Sequence, residues 1–300
     1  MNAPRRPPRQ RIDGVLFIDK PPGLTSNGVL SVIKRLYNAE KAGHTGTLDP
    51  FATGLLPVAL GDATKFSGHL LDADKTYLAT MRLGVTTTTA DLEGEVRQTR
   101  PVNVDDAQLH EALRRHSGAI AQIPPMYSAL KRDGKPLYEY ARAGETLERE
   151  PRQVTIHALD LIERKDEFVT FRVACSKGTY VRTLAEDIGE TLDCGAHLTA
   201  LRREATGGFS LEGALPLDRL QAMEAPALLA ALRPVDALII ALPRLELDTA
   251  QAARLRQGQR LPFQAPPGPA RAYDPEGQFL GVVRVADGVA HPERLALPPA

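Results

Sequence analysis

Alternating apolar and polar positions predict the strands of this chain. Residues 75–84 alternate, and an extended chain places their apolar members on one face. Those members are Tyr77, Ala79, Met81 and Leu83. Short apolar runs or further alternation predict strands at residues 14–19, 154–162, 168–176, 198–209, 270–273, 279–285 and 291–297.

Apolar residues three or four positions apart predict the helices. Thr25 and Ser26 offer capping hydroxyls just before Val29, Ile33 and Leu36, which share one helical face. Residues 105–116 form an amphipathic pattern that ends before a glycine. Further helices are predicted at residues 180–192 and 251–256.

Changes in composition along the chain predict its division into domains. Residues 1–11 are rich in Arg and Pro and poor in apolar side chains, which predicts a disordered basic tail. A main domain is expected over residues 12–243. Within it, residues 124–151 form a long, polar segment rich in Pro, Tyr, Arg and Lys, which predicts a functional or mobile insertion. Short strands and frequent Gly and Pro predict a small β-rich module over residues 244–300.

Composition narrows the class of protein. The chain has 37 basic and 37 acidic side chains, so bulk positive charge is not what would hold a nucleic acid. Cys175 and Cys194 are too few for a zinc cluster and too far apart for a redox pair, which favours a reducing compartment. No apolar run approaches the ~20 residues of a membrane span, and no secretory signal is evident. We expect a cytoplasmic protein.

One loop has the composition of a ligand-binding turn. Residues 43–54 read GHTGTLDPFATG between two apolar runs. Asp-Pro alone is an ordinary turn dipeptide. Here, however, three glycines allow a ligand to approach the backbone, and three threonines supply hydroxyl donors. A rigid scaffold on both sides can aim Asp49 into a cleft.

This loop resembles the catalytic motif of the TruB family of tRNA pseudouridine synthases. Other blocks resemble the same family in the same order, from about residue 14 to residue 209. They are KPPGLTS at 20–26, GDATK at 61–65, KTY at 75–77, PPMYSALK at 124–131, CSKGTYVRTL at 175–184 and LTALRR at 198–203. The C-terminal module resembles, more weakly, the PUA-type RNA-binding domain of these proteins.

The resemblance implies both a fold and a reaction. The fold is α+β, with a mixed, largely antiparallel sheet flanked by helices and a PUA-like module. The reaction needs no cofactor and no metal. It converts the uridine at position 55 of the tRNA T loop to pseudouridine. The N1–C1′ bond breaks, the uracil rotates and a C5–C1′ bond forms. The expected partner is the tRNA T arm, bound by a monomer.

Three residues are expected to carry the chemistry. By the resemblance, Asp49 is the nucleophile, because a carboxylate can form a transient covalent adduct and still leave. Burial would raise its pKa, so a fixed cation is needed, and the planar guanidinium of Arg182 suits that contact. Tyr77 is expected to stack on the extruded uracil and to accept the C5 proton as a general base.

Other residues are expected to contact the substrate. The resemblance places His44, Tyr180 and Leu201 at the pocket. Lys20 and Lys65 flank the loop, where either structural ion pairs or phosphate contacts would account for them. Extruding the uridine costs a few kcal/mol. The insertion at 124–151, ordering on RNA as a flap, is expected to help supply that free energy.

Alternative functions remain open on the sequence alone. A glycosidase would need a second carboxylate, for which Asp91 is a candidate. A non-catalytic protein that binds and refolds tRNA would use the same insertion and module. A dyskerin-type synthase would act with a guide RNA and protein partners. A zinc deaminase is excluded because its His and Cys pattern is absent from the sequence.

Overall fold

The computed structural model describes residues 8–298, and its strands form two sheets and two small hairpins. In chain order the strands are β1 (Gly14–Lys20), β2 (Ala42–His44), β3 (Thr53–Leu60), β4 (Lys75–Leu83), β5 (Val85–Thr87), β6 (Val96–Thr99), β7 (Gly118–Gln122), β8 (Lys131–Arg132), β9 (Lys135–Pro136), β10 (Arg152–Lys165), β11 (Phe168–Cys175), β12 (Ala196–Thr206), β13 (Phe209–Ser210), β14 (Leu215–Pro216), β15 (Arg244–Glu246), β16 (Leu261–Pro262), β17 (Gly268–Tyr273), β18 (Phe279–Ala286) and β19 (Val289–Leu295).

The helices are short and lie between the strands. In chain order they are α1 (Ser26–Leu36), α2 (Gly68–Leu71), α3 (Asp106–Arg115), α4 (Leu137–Arg142), α5 (Val181–Thr191), α6 (Leu217–Gln221), α7 (Ala225–Ala230) and α8 (Thr249–Arg256), with 3-10 turns at Gly61–Lys65 and Ala237–Ile239.

The large sheet is mixed but mostly antiparallel. Its strands lie in the order β14, β1, β3, β12, β4, β11, β10 and β7, while β2 pairs with β3 and β13 pairs with β12. Only the β1–β14 and β3–β12 pairs of this sheet, within residues 8–298, are parallel. The smaller sheet has the order β15, β17, β18, β19 and β16. The predicted α+β class with a C-terminal β-rich module is therefore confirmed.

Burial explains why these segments are strands and helices. The apolar face predicted for β4 packs with α3 and α5 in one core. Strand β1 is buried on both faces, since Leu16 and Ile18 pack toward α1 while Val15 and Phe17 pack on the opposite side. Its unbroken apolar run is the pattern expected of a strand covered on both faces.

Two segments predicted to be mobile or disordered contain ordered contacts. Residues 124–151 include the β8–β9 hairpin and α4. Within the predicted tail, Arg9 donates to the carbonyl oxygen of Ala39, and Gln10 exchanges backbone hydrogen bonds with Asn38 and Glu40. These contacts order residues 9 and 10, while residues 1–7 lie outside the described part of the chain.

The smaller sheet contacts the main part of the molecule through both apolar and polar groups. Phe66 and Phe279 meet edge to face with ring centroids 5.1 Å apart. Nearby, Lys65 donates to the carbonyl oxygen of Leu295 at 3.2 Å, and Asp62 accepts from the nitrogen of Leu297. No helix between residues 8 and 298 combines the length and apolarity of a bilayer crossing.

A single glycine makes the β3–β12 crossing possible. Gly54 pairs with Arg203 where the two parallel strands meet, and its φ is +103°. A Cβ at this position would lie 2.7 Å from the Arg203 nitrogen and closer still to its carbonyl oxygen. Both the backbone angle and the close approach therefore require glycine here.

We predict that Gly54→Ala lowers the free energy of unfolding by about 3 kcal/mol, from backbone strain and steric overlap together. Urea unfolding measures the loss. Gly68→Ala is the matched control, because a Cβ there meets no atom within 4 Å and the position is helical. Equal stabilities of the two variants would contradict the prediction.

Candidate active site

The turn that carries Asp49 is fixed from below. Ser26, the first residue of α1, accepts a hydrogen bond from the nitrogen of Leu48 at 2.8 Å and donates to its carbonyl oxygen at 3.1 Å. The nitrogen of Gly23 donates to the carbonyl oxygen of Pro50 at 2.8 Å. The residues on either side of Asp49 are thus both held by the segment that leads into α1.

Lys20 clamps the same turn from the end of β1. Its ammonium donates to the carbonyl oxygens of Pro21, Pro50 and Ala52 at 2.9, 3.1 and 2.7 Å. Burial lowers its pKa to about 8, although the nearby charge of Asp49 opposes that shift. Lys20 is 0% exposed, so the geometry favours the structural alternative over the expected phosphate contact.

Arg182 forms a two-point ion pair with Asp49. The Nε atom lies 2.9 Å from Oδ2 of Asp49, and Nη2 lies 3.3 Å from Oδ1. The remaining donors reach the carbonyl oxygens of Thr89 (3.0 Å) and Tyr127 (2.7 Å). The guanidinium is almost fully buried, and its position near the start of α5 points it at the turn that carries Asp49.

Asp91 lies on the other side of the same guanidinium. Its Oδ2 is 3.6 Å from Nη1 of Arg182. The Asp91 carboxylate also accepts hydrogen bonds from the hydroxyl of Thr89 and the nitrogen of Glu93, and Thr87 donates to its carbonyl oxygen. The sequence suggested Asp91 only as a second acid, and the structure instead makes it a partner of Arg182.

The electrostatics of Asp49 combine opposing effects. Burial raises the pKa of Asp49, the guanidinium of Arg182 lowers it, Asp91 raises it again, and Lys20 lowers it. The net direction is upward. The Asp49 side chain is still 32% exposed, because it faces a cavity.

That cavity has the size of a ligand pocket. Its volume is about 440 Å³, within the usual range for small-molecule sites. The walls are formed by the turn that carries Asp49, by β4 and β12, by the start of α5 and by residues 127–130 of the insertion. The side chains most relevant to chemistry are Asp49, Lys75, Tyr77, Ser128, Tyr180, Arg182, Leu201 and Arg203.

Of the residues predicted to contact the substrate, Tyr77, Tyr180 and Leu201 line this cavity. Tyr77 projects from β4, between β11 and β12, and burial raises its pKa while nearby Arg203 lowers it. Tyr180 is the residue immediately before α5. Its backbone exchanges two hydrogen bonds with the side chain of Gln122, at 2.7 and 3.1 Å. Sequence reasoning missed Gln122, which fixes how Tyr180 enters the site.

Besides Lys20, two other predicted contact residues lie outside the cavity wall. Nε2 of His44 is 3.3 Å from Oδ1 of Asn27, and burial lowers the pKa of His44, which favours its neutral form. Lys65 pairs with Asp62 at 3.0 Å and with the carbonyl oxygen of Leu295. Its ammonium is thus engaged at the contact with the smaller sheet, which differs from the expected contact with substrate.

Arg203 and Lys75 are further cationic residues of the site to which the sequence assigned no role. Arg203 is fully buried and donates to the carbonyl oxygens of Leu55 (2.7 Å) and Gly46 (3.2 Å). Lys75 donates to that of Ala73, and burial lowers its pKa. Both residues stood in blocks that resemble the family, which was the one available signal.

Comparison with known families accounts for nearly the whole chain. Residues 34–181 match the TruB family pseudouridylate synthase N-terminal domain. Residues 182–240 match the tRNA pseudouridylate synthase B C-terminal domain, and residues 243–296 match the pseudouridine synthase II TruB C-terminal family.

Curated relatives match over their full length. A tRNA pseudouridine synthase B of Burkholderia mallei is 59% identical over 304 residues, covering 98% of each chain. The tRNA pseudouridine synthase B of Cupriavidus metallidurans is 55% identical, covering 97% of this chain and 96% of its own.

Solved structures share the architecture. A Cbf5-Nop10-Gar1 complex matches with a TM-score of 0.72 and 27% identity, covering 95% of this chain and 85% of the other. An H/ACA RNP bound to a substrate RNA containing 2′-deoxyuridine matches with a TM-score of 0.72, 25% identity and the same coverage.

The electrostatics predict a stability effect of Asp49→Asn. The folded-state pKa of Asp49 is raised above 3.8, so the folded state favours the protonated form, and this stabilisation is lost as pH rises through the raised pKa. We expect Asp49→Asn to melt above the wild type at about pH 8, and the difference to shrink toward about pH 4.

Thermal melts across that pH range measure the effect. Asp72→Asn is the control, because Lys177 lowers the pKa of the exposed Asp72 and the substitution should not raise the melting temperature at neutral pH. A melting temperature of Asp49→Asn below the wild type at about pH 8 would contradict the predicted sign.

Proposed function

The chain belongs to the TruB family of pseudouridine synthases, and on that premise we propose how its residues convert uridine 55 of the tRNA T loop to pseudouridine. The reaction is an isomerisation, in which the N1–C1′ bond of uridine is exchanged for a C5–C1′ bond. Its chemistry requires one nucleophile, an enclosed pocket for the extruded base and a surface for the tRNA.

Asp49 is the proposed nucleophile. The supporting observation is its two-point ion pair with the buried Arg182, beside a cavity large enough for a nucleoside. Since burial disfavours an ionised carboxylate, Arg182 and Lys20 keep part of Asp49 charged and able to attack. Attack at C1′ of the sugar and attack at C6 of the base both fit this arrangement.

Tyr77 is proposed to stack on the flipped uracil, because its ring lies in the cavity wall next to Leu201 and Arg203. The proposed role as general base places a further requirement on the protonation state of Tyr77. A phenol accepts a proton only as phenolate, and burial raises the pKa of Tyr77, so that form is scarce at neutral pH. The burial thus supports stacking more strongly than proton transfer.

The insertion at 124–151 is proposed to close over the T arm. It presents aromatic and basic side chains together, with Lys135 4.3 Å from the ring of Tyr140 and Arg142 5.4 Å from the ring of Tyr138. Such pairs suit stacking on bases and contact with phosphates. We also propose that His44 meets the substrate at the cavity mouth.

The C-terminal module, the oligomeric state and the cysteines complete the proposal. The β-rich module at 244–300 would grip RNA away from the reacting base. We propose that the chain binds the T arm as a monomer. Cys175 and Cys194 are buried free thiols, which supports action in the reducing cytoplasm.

The alternative functions fit less well. Identity to a tRNA pseudouridine synthase B is 59%, against 25–27% to the Cbf5 and H/ACA structures, so a guide-RNA-dependent enzyme is disfavoured. A glycosidase would use Asp91 as a second acid, but Asp91 is engaged with Arg182 and Thr89. A protein that only refolds tRNA would not need the Asp49–Arg182 pair.

We predict that Asp49→Asn lowers pseudouridine formation at least about a thousandfold, because an amide cannot act as the nucleophile. Binding of a T-arm transcript should survive. Tritium release from 5-tritiated uridine measures the rate, with Asp72→Asn as the exposed-carboxylate control. Release of free uracil by the wild type would instead indicate hydrolysis.

We also predict that tRNA protects residues 124–151 from limited proteolysis, since the insertion closes on the T arm. Fragment mass spectrometry with and without tRNA locates the cuts. Cleavage in the exposed turn at 166–167, between β10 and β11, serves as the reference site because it lies outside both the insertion and the C-terminal module. An equal rate of cleavage in the insertion under both conditions would rule out the flap.

A further inference from the structure

Ser128 is a buried hydroxyl without a hydrogen-bond partner in the wall of the Asp49 cavity. Ser128 is 5% exposed, and its Oγ has no hydrogen-bond partner within residues 8–298. Burial raises the pKa of the neighbouring Tyr180 while the side chain of Ser128 lowers it, and both residues line the cavity.

An unpartnered buried hydroxyl calls for an explanation. Leaving one unsatisfied costs about 1–3 kcal/mol, and native proteins contain few of them. Thr45 and Thr206 also have buried hydroxyls without partners in the described part of the chain, but neither lines this cavity. Only for Ser128 does the site itself offer a place for the missing partner.

The backbone around Ser128 is fixed, so its hydroxyl is preorganised. Its nitrogen donates to the carbonyl oxygen of Met126 at 2.9 Å, and its carbonyl oxygen accepts from Tyr138 at 3.1 Å. The preceding residue, Tyr127, is tied to the guanidinium of Arg182 through its carbonyl oxygen. The position of Ser128 is therefore linked directly to the ion pair of the nucleophile.

The chemistry of uracil identifies the missing partner. If Asp49 displaces the base at C1′, the electron pair of the N1–C1′ bond stays on uracil, and O4 shares the negative charge through the conjugated ring. If Asp49 adds at C6, the C5=C6 π electrons move to O4 as an enolate. Both routes place charge on O4, where a fixed donor stabilises the transition state.

We propose that the Ser128 hydroxyl donates a hydrogen bond to O4 of the flipped uracil, making Ser128 a further catalytic residue of the reaction. The inference rests on the proposed function, because it needs a uridine in this cavity. A hydroxyl rotates about its C–O bond and can follow a shifting acceptor. It can therefore keep its contact while the uracil begins to turn.

Single-turnover pseudouridine formation on a T-arm transcript tests this role. Ser128→Ala should slow the rate by about tenfold to a hundredfold, because a donor to the developing charge is lost. Its melting temperature should stay equal or rise, since an unsatisfied hydroxyl has gone. Thr206→Val, which removes a buried unpartnered hydroxyl outside the cavity, should keep the rate within about twofold of the wild type.

Analogues of the target uridine identify the atom. With 4-thiouridine, whose sulfur is a weak acceptor, the wild type should slow and most of its advantage over Ser128→Ala should disappear. With 2-thiouridine that advantage should persist. On uridine, the rate of Ser128→Cys, whose thiol is a weaker donor, should lie between the rates of the wild type and Ser128→Ala. This variant also tests the effect of packing separately from that of the hydrogen bond.

The outcomes separate this proposal from the wider one. A wild type that forms no pseudouridine would remove the proposed function itself. With an active wild type, equal rates for wild type and Ser128→Ala would overturn the role of Ser128. An undiminished advantage of the wild type on 4-thiouridine would overturn it as well, because the slowing would then come from altered packing.

Discussion

One buried guanidinium holds the catalytic region together. Arg182 binds the carboxylate of Asp49, faces that of Asp91 and reaches the carbonyl oxygens of Thr89 and Tyr127. Removing a charge from water is costly, and partners must compensate for it. Because those partners come from the catalytic turn, the loop after β5 and the insertion, a single cation fixes the relative positions of three separate segments.

The turn that carries Asp49 is also supported from beneath by regular structure. Ser26 and Lys20 bind the backbone on both sides of Asp49, and both residues belong to elements packed in the apolar core. Gly54 lets β3 approach β12 closely enough to bring Arg203 under the turn. A site built in this way keeps its geometry before substrate arrives, which is the condition for preorganised catalysis.

Local pattern was sufficient to predict most of the long strands and the four longest helices, since their burial follows directly from spacing. Alternation placed Tyr77 on the buried face of β4, and the structure agrees. The pairing of Asp49 with Arg182 followed from charge compensation together with the family blocks. Those two residues are 133 positions apart, so spacing alone could not have joined them.

The sequence left open the partners of long side chains and of residues far apart in the chain. For Lys20 and Lys65 it allowed structural or phosphate contacts, and each side chain turns to partners that only the fold supplies. Asp91 was noticed as an acid, while its actual partner depended on where α5 begins. Ser128 lies in a block that resembles the family, but its empty hydrogen-bond position is visible only once all neighbouring atoms are placed.

Main-chain atoms hold much of the charge in this site. Lys20 is bound by three carbonyl oxygens, Arg203 by two, and Arg182 by two in addition to its carboxylates. Every residue type carries a carbonyl group, so amino-acid replacement at Thr89 or Tyr127 leaves these acceptors in place. Substitutions at neighbouring positions therefore leave these carbonyl acceptors of the cations unchanged, as long as the backbone keeps its path.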